Sequence, residues 1–138
     1  MIRVPHLLVV EGDRRAAELL ARIFEVDDYD VSIARDVDLA LKLARSERPD
    51  AILLDLELPT DVHGGDLLRT LRMDATLRDV PVVALSTAFE LARNDFGVFG
   101  PNAVIRKPLV EESLLLLLDR VHGFAPPMFE PDLPLATA

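Results

Sequence analysis

Short, largely apolar runs alternate along this chain with longer stretches whose apolar residues recur at helical spacing. The first run, His6 to Val10, leads into Asp13 to Val26, where Ala16, Ala17, Leu19, Leu20, Ile23 and Phe24 make one apolar helix face. Val31 to Ala34 is a short second strand, and Asp36 caps a helix through Leu39, Ala40, Leu43 and Ala44 that ends before Pro49. Ala51 to Leu54 is apolar at every position. A strand without polar alternation is buried on both faces, so it belongs at the centre of a sheet, with Asp55 emerging at its carboxyl end. Pro59 to Gly65 reads as a loop, and Asp66 to Arg72 as a helix on Leu67, Leu68 and Leu71. Pro81 opens a fourth strand, Val82 to Leu85, followed by Ser86 and Thr87. A weaker helix covers Phe89 to Val98, bounded by Gly97, Gly100 and Pro101. The last strand, Ala103 to Ile105, delivers Lys107, and a leucine-rich helix runs from Glu111 to Val121.

Strands and helices in alternation predict βαβ units closing a parallel sheet covered on both faces, an α/β fold of five strands and about five helices. The pattern stops after Gly123. Residues 124–138 hold Pro126, Pro127, Pro131 and Pro134, too many for a helix or an inner strand, and read as an extended tail. The organisation expected is one domain over 1–123 and a proline-rich tail over 124–138.

Composition narrows the function more than the fold. With 138 residues, half of them hydrophobic, the chain supports one compact core. Fifteen Lys and Arg face 24 Asp and Glu, a formal charge of −9, and such a surface repels a phosphate backbone. Direct nucleic-acid binding is disfavoured. The absence of cysteine excludes disulfides, thiolate metal sites and cysteine nucleophiles, and fits a cytoplasmic location. No apolar run is long enough to span a bilayer, and the N-terminal Leu7 to Val10 stretch lacks a following signal-cleavage site.

In open parallel sheets the functional crevice lies beyond the carboxyl ends of the strands. There this sequence places Glu11 and Asp13, Asp55 and Glu57, Ser86 and Thr87, and Lys107. Carboxylates, a hydroxyl and one ammonium at one edge suit a hard dication such as Mg²⁺ together with a phosphoryl group. Asp55 is then the nucleophile, with Lys107 and Ser86 holding phosphoryl oxygens.

The segments Leu53-Leu54-Asp55-Leu56-Glu57-Leu58-Pro59, Pro81-Val82-Val83-Ala84-Leu85-Ser86-Thr87 and Lys107-Pro108, in this order and spacing, resemble the response-regulator receiver domains of two-component signalling, over roughly residues 6 to 122. The resemblance implies a flavodoxin-like, doubly wound sheet in the order 2-1-3-4-5. It also implies phosphorylation of Asp55 by a partner histidine kinase or phosphotransfer protein, Mg²⁺ dependence, and a switch hydroxyl at Ser86. The metal set it implies is drawn from Glu11, Asp13, Asp55 and Glu57.

The chain departs from that family in several places. Receivers usually carry two adjacent acids after the first strand, whereas here Glu11 is followed by Gly12. Asp13 stands where it either reaches the metal or caps the first helix. Glu57, two after Asp55, offers its backbone carbonyl to the metal and brings a side chain near the site. The loop from Pro59 to Gly65 is one residue longer than usual, and its His63 is more simply a solvated side chain than a ligand or phosphodonor. Val104 stands where an aromatic is common, and Thr87 is bulkier than the usual residue after the switch hydroxyl.

Two functions follow. One is a stand-alone receiver, acting as a shuttle or regulator, that accepts phosphate on Asp55 and signals to a downstream protein through its fourth helix, fifth strand and fifth helix. The other is a pseudo-receiver, an interaction module that binds partners regardless of phosphate because Gly12 weakens Mg²⁺ binding. An enzyme is not expected. Asp55-Leu56-Glu57 resembles the Asp-x-acid pattern of aspartate-nucleophile phosphatases, but Pro59 replaces their usual Thr or Val, and no late pair of acids follows the last strand. Gly64-Gly65 is a turn signal and not a phosphate cradle.

Overall fold

The structure, a computed structural model, describes residues 4–58, 64–87, 99–108 and 112. In chain order the elements are β1 (His6–Val10), α1 (Arg14–Val26), β2 (Asp30–Ala34), α2 (Val37–Glu47), β3 (Ala51–Asp55), α3 (Gly64–Met73), β4 (Val82–Ser86) and β5 (Ala103–Arg106). The strands form one parallel sheet in the order β2-β1-β3-β4-β5, as expected. The predicted helices over 89–98 and 111–121, the loop residues 59–63 and the tail 124–138 lie outside the described residues, apart from Glu112, which is helical.

Period-two side-chain alternation sorts the strands' apolar residues onto two faces. Leu7, Val9, Leu53, Val83, Leu85 and Ile105 share one cluster with Leu20 and Phe24 of α1. Leu8, Val10, Ile52, Leu54 and Val82 share the other with Ala40 and Ala44 of α2 and Leu67, Leu68 and Leu71 of α3. β3 and β4 are buried at every position, which is why their sequences lack polar alternation.

Two helix starts follow from side-chain capping of orphan backbone donors. Asp13 accepts from the Ala16 N–H at 3.1 Å, and Asp36 from the Leu39 N–H at 2.8 Å. α2 stops at Arg48, whose φ of 48° takes the chain out of the helix before Pro49. One residue assigned to the apolar face of α1 proves exposed. Leu19 is 60% exposed, because the buried stripe of α1 is Ala17, Leu20, Ala21 and Phe24 and Leu19 lies to one side of it. Leu39 likewise flanks the Ala40 and Ala44 stripe of α2.

The other end of the sheet is tied by Arg72, near the end of α3. Its guanidinium donates to the carbonyls of Arg78 and Val80 at 3.0 and 2.7 Å, and of Gly100 at 3.3 Å. It also donates to Asn102 Oδ1 at 2.7 Å, an oxygen that accepts the Val82 N–H as well. One side chain thereby anchors the entries of β4 and β5, the strands that deliver Ser86 and Lys107. Among the described residues, no helix is long and apolar enough to cross a membrane.

Candidate functional site

From β1 the chain passes to β2 at the edge of the sheet and returns to β3 on the opposite side of β1. A crevice opens where the winding reverses, at the carboxyl ends of β1 and β3. Glu11 follows β1 and Asp55 ends β3. In the neighbouring register Asp55 pairs with Leu85 and Ser86 with Arg106, which brings Ser86 and Lys107 to the same edge.

Asp55, 3% exposed, is held on one oxygen by two donors: Lys107 Nζ at 2.9 Å and the Glu57 backbone N–H at 2.8 Å, both to Oδ1. Glu11, 7% exposed, shares a side-chain hydrogen bond with it. Two buried carboxyl groups in contact retain a proton between them, since both cannot be charged cheaply. Burial pushes Glu11 up to about 7, and the bond to Asp55 and its charge push the same way. Burial also raises Asp55, but bonds from Glu11, Lys107 and the Glu57 N–H outweigh it and hold Asp55 below the usual carboxylate range. Protonated Glu11 therefore donates, and ionised Asp55 accepts. Burial lowers Lys107, but its bond and charge contacts with Asp55, then Glu57, outweigh this and raise it, so it stays a cation.

Glu57 does not face Glu11. Its Oε2 accepts from Ser86 Oγ at 2.7 Å, and its Oε1 from the Thr87 N–H at 3.0 Å and Thr87 Oγ1 at 3.3 Å. Lys107 Nζ lies 3.3 Å from the same Oε1. Burial raises Glu57, but the Ser86 and Thr87 bonds and Lys107 outweigh it and hold it below its ordinary value. An acid kept ionised in this way is unsuited to the general-acid role that the phosphatase pattern requires of it.

The expected residues therefore converge in two groups about Asp55. Glu11 lies on one side, and Glu57, Ser86 and Thr87 lie on the other, with Lys107 bridging Asp55 and Glu57. Asp13 borders the depression, but its carboxylate is the α1 cap, because the helix start leaves the Ala16 N–H in need of an acceptor. Only its backbone N–H turns toward the site, donating weakly to Glu11 Oε2 at 3.4 Å.

Sequence reasoning did not single out Arg35. Its Nε and Nη2 both donate to the Gly12 carbonyl at 3.1 Å, clamping the loop at the position where a second acid was expected. Arg35, Arg14 and Arg15 line an open depression of about 820 Å³ whose floor includes Asp55 and Glu11. An arginine directly after the buried end of β2 was the available signal. Val104, where an aromatic was expected, is buried against Ala84 with Leu56 packed on the pair.

The donors fit Mg²⁺ in kind. Glu11 and Asp55 are adjacent oxygen donors that contain a proton between them, and a dication can replace such a proton. They are short in number: among the described residues no group of three or more His, Cys, Asp or Glu side chains is arranged to hold a metal ion. Glu11 and Asp55 are the side chains that would hold Mg²⁺. When bound it would offset the charge of an incoming phosphoryl group.

The chain matches the family model for the response regulator receiver domain over residues 7–119. It is 34% identical over 111 residues to the response regulator MprA of Mycolicibacterium vanbaalenii, covering 80% of this chain and 47% of that protein. To MprA of Mycobacterium sp. strain KMS it is 32% identical over 133 residues, 96% of this chain and 56% of that one. The chain thus spans about half the length of these curated relatives. Among solved structures, a sensor protein from Polaromonas sp. JS666 superposes with a TM-score of 0.80 at 29% identity, over 87% of this chain and 97% of that one. The chemotaxis response regulator CheY4 of Vibrio cholerae does so with a TM-score of 0.78 at 25% identity, over 86% and 99%. Sheet order, the Asp55 and Lys107 geometry and these likenesses agree: the chain belongs to the response regulator receiver domain family of two-component signalling.

Proposed function

We propose that the chain accepts a phosphoryl group on Asp55 from a histidine kinase or a phosphotransfer protein and passes the signal to a downstream protein by contact in the cytoplasm. The observation carrying this reading is the ionised, buried Asp55 at the end of the central strand, with Lys107 at 2.9 Å. In the transfer an Asp55 carboxylate oxygen attacks the phosphorus of the donor's phosphohistidine. An O–P bond forms, the N–P bond breaks, and the imidazole leaves with the bonding pair and takes up a proton. Lys107 and the Ser86 hydroxyl take the phosphoryl oxygens, and the burial of Asp55 and Ser86 strengthens both contacts. Mg²⁺ held at Glu11 and Asp55 belongs to this reading.

The test is incubation with phosphoramidate, a small phosphodonor, and Mg²⁺, followed by intact-mass analysis. One phosphoryl adduct on the wild type and none on Asp55→Asn is expected; equal labelling of both would overturn it.

A second reading, a module that binds its partner irrespective of phosphate, is favoured by Gly12, which leaves the acid pair without a third carboxylate. It predicts no adduct on the wild type under these conditions and undiminished partner binding by Asp55→Asn.

A further inference from the structure

The side chain that most exceeds its expected role is Glu57. A loop glutamate beside an acidic site ordinarily turns to solvent, since a second carboxylate near Asp55 is repelled. Here the chain after β3 folds back so that the Glu57 N–H binds Asp55 Oδ1, and the side chain reaches across to the end of β4. Its two oxygens take Ser86 Oγ, the Thr87 N–H, Thr87 Oγ1 and Lys107 Nζ, at 2.7, 3.0, 3.3 and 3.3 Å. Although the side chain is 40% exposed, it is held from two strand ends. The set comprises a hydroxyl pair, a backbone N–H and an ammonium facing one small anion. Carboxylate and phosphoryl oxygens are interchangeable acceptors for such donors.

We propose that Glu57 is an internal surrogate for the phosphoryl group: its carboxylate occupies the Ser86, Thr87 and Lys107 donors, holding them in their anion-bound arrangement and competing with phosphate on Asp55. The proposal rests on the reading that Ser86 and Lys107 receive the phosphoryl oxygens of phosphorylated Asp55. Given that reading, the two occupancies exclude one another. A phosphoryl group on Asp55 brings about two negative charges to donors that already face the Glu57 carboxylate, so Glu57 must swing out for the phosphoryl to be held. Glu57 then sets the threshold for phosphorylation, and Ser86 is engaged before any phosphate arrives.

Two substitutions in the full chain separate the steric and charge contributions. Glu57→Ala vacates the cradle, and Glu57→Gln keeps an acceptor for Ser86 while removing the charge. Without phosphodonor, amide hydrogen exchange at Thr87 is expected to accelerate on the order of tenfold or more in Glu57→Ala, as its N–H loses its acceptor. With phosphoramidate and Mg²⁺, the initial rate of Asp55 labelling is expected to rise by roughly tenfold, the scale of one charge-assisted contact, with Glu57→Gln between wild type and alanine. Unchanged Thr87 exchange, or equal labelling rates in wild type and both variants, would overturn the surrogate role while leaving the phosphoacceptor reading intact. No labelling of any of the three proteins would overturn both.

Discussion

Replacing Glu11 with Gln isolates the shared proton of the buried acid pair. The amide still donates to Asp55, so the contact survives while the titration disappears. In the folded protein Glu11 titrates at about 7 against an ordinary 4.5, so between those values the native state holds a proton that the unfolded chain has released. Stability therefore falls as pH rises through this window. Below 4.5 the group is protonated in both states, and above 7 the folded protein carries its full charge penalty. The interval corresponds to about 3 kcal/mol between the two ends of the window. Asp55 and Glu57, both held low, act with the opposite sign and at more acid pH, because their stabilisation is present above their unfolded values and is lost as pH falls through their folded ones. The window from 4.5 to 7 is thus dominated by Glu11. Urea unfolding followed by far-UV circular dichroism, with a chelator present, is expected to show Glu11→Gln gaining about 2–3 kcal/mol on the wild type between the acid and alkaline ends of the window. Parallel pH profiles for the two proteins would refute the shared proton. Since burial is the largest cause of the Glu11 shift and Asp55 the second, Asp55→Asn should flatten the wild-type slope only in part. Complete flattening would mean that Asp55, and not burial, holds the proton on Glu11.

On the proposed reading Mg²⁺ displaces that proton, so its stabilisation of the wild type, read as a rise in melting temperature, is expected to be larger at pH 8 than at pH 5.5 and to vanish in Asp55→Asn. Lys107→Met leaves ionised Asp55 buried without its ammonium and is expected to cost about 2–4 kcal/mol by urea unfolding at neutral pH; Asp55→Asn in the same background should restore part of the loss. Arg72→Ala leaves three carbonyls and Asn102 Oδ1 without their guanidinium and should lower stability by about 2–4 kcal/mol, without touching the depression at the other end of the sheet. Asp36→Ala removes one helix cap and is expected to cost about 1 kcal/mol in the same assay.

What the sequence revealed, and what it concealed, divides along a physical line. Strands β1, β3 and β4 were legible because burial on two faces demands unbroken apolar runs, and the starts of α1 and α2 because a capping carboxylate must stand at one defined place. Asp55 and Ser86 stand directly after such runs, and Lys107 one residue beyond the last. Leu19 was misplaced because apolar residues at several offsets satisfy a helical period, and only packing against the sheet decides which arc is buried. The direction of Glu57 was hidden for a different reason: it depends on the Asp55 to Leu85 register, which brings Ser86 and Thr87 within its reach across a gap of 30 residues. The partners of Arg72 and Arg35 were hidden because a guanidinium's carbonyl acceptors leave no side-chain pattern in a sequence, even where, as at Arg35, the place of the arginine after β2 is itself visible.

Gly12 and Glu57 are best understood together. Where the family's second acid is missing, the chain presents a backbone carbonyl held by both arms of the Arg35 guanidinium, so a cation stands near the metal side of Asp55 where negative charge was expected. On the opposite side, Glu57 adds a carboxylate against Ser86, Thr87 and Lys107. Counted over the site, the number of acids is preserved while one of the two flanking Asp55 is moved from the metal side to the Ser86 side. The metal side is left with Glu11, whose affinity for a proton is raised to about 7, and the other side gains Glu57, held below its ordinary value by Ser86, Thr87 and Lys107. On the proposed reading of the site, both shifts act in the same direction, raising the cost of recruiting a dication and lowering the need for phosphate to engage Ser86. A single restoration, Gly12→Asp, addresses only the first. If this redistribution is what governs the site, combining Gly12→Asp with Glu57→Ala should raise labelling of Asp55 by more than the product of the two single effects, because each change removes an obstacle that limits the benefit of the other.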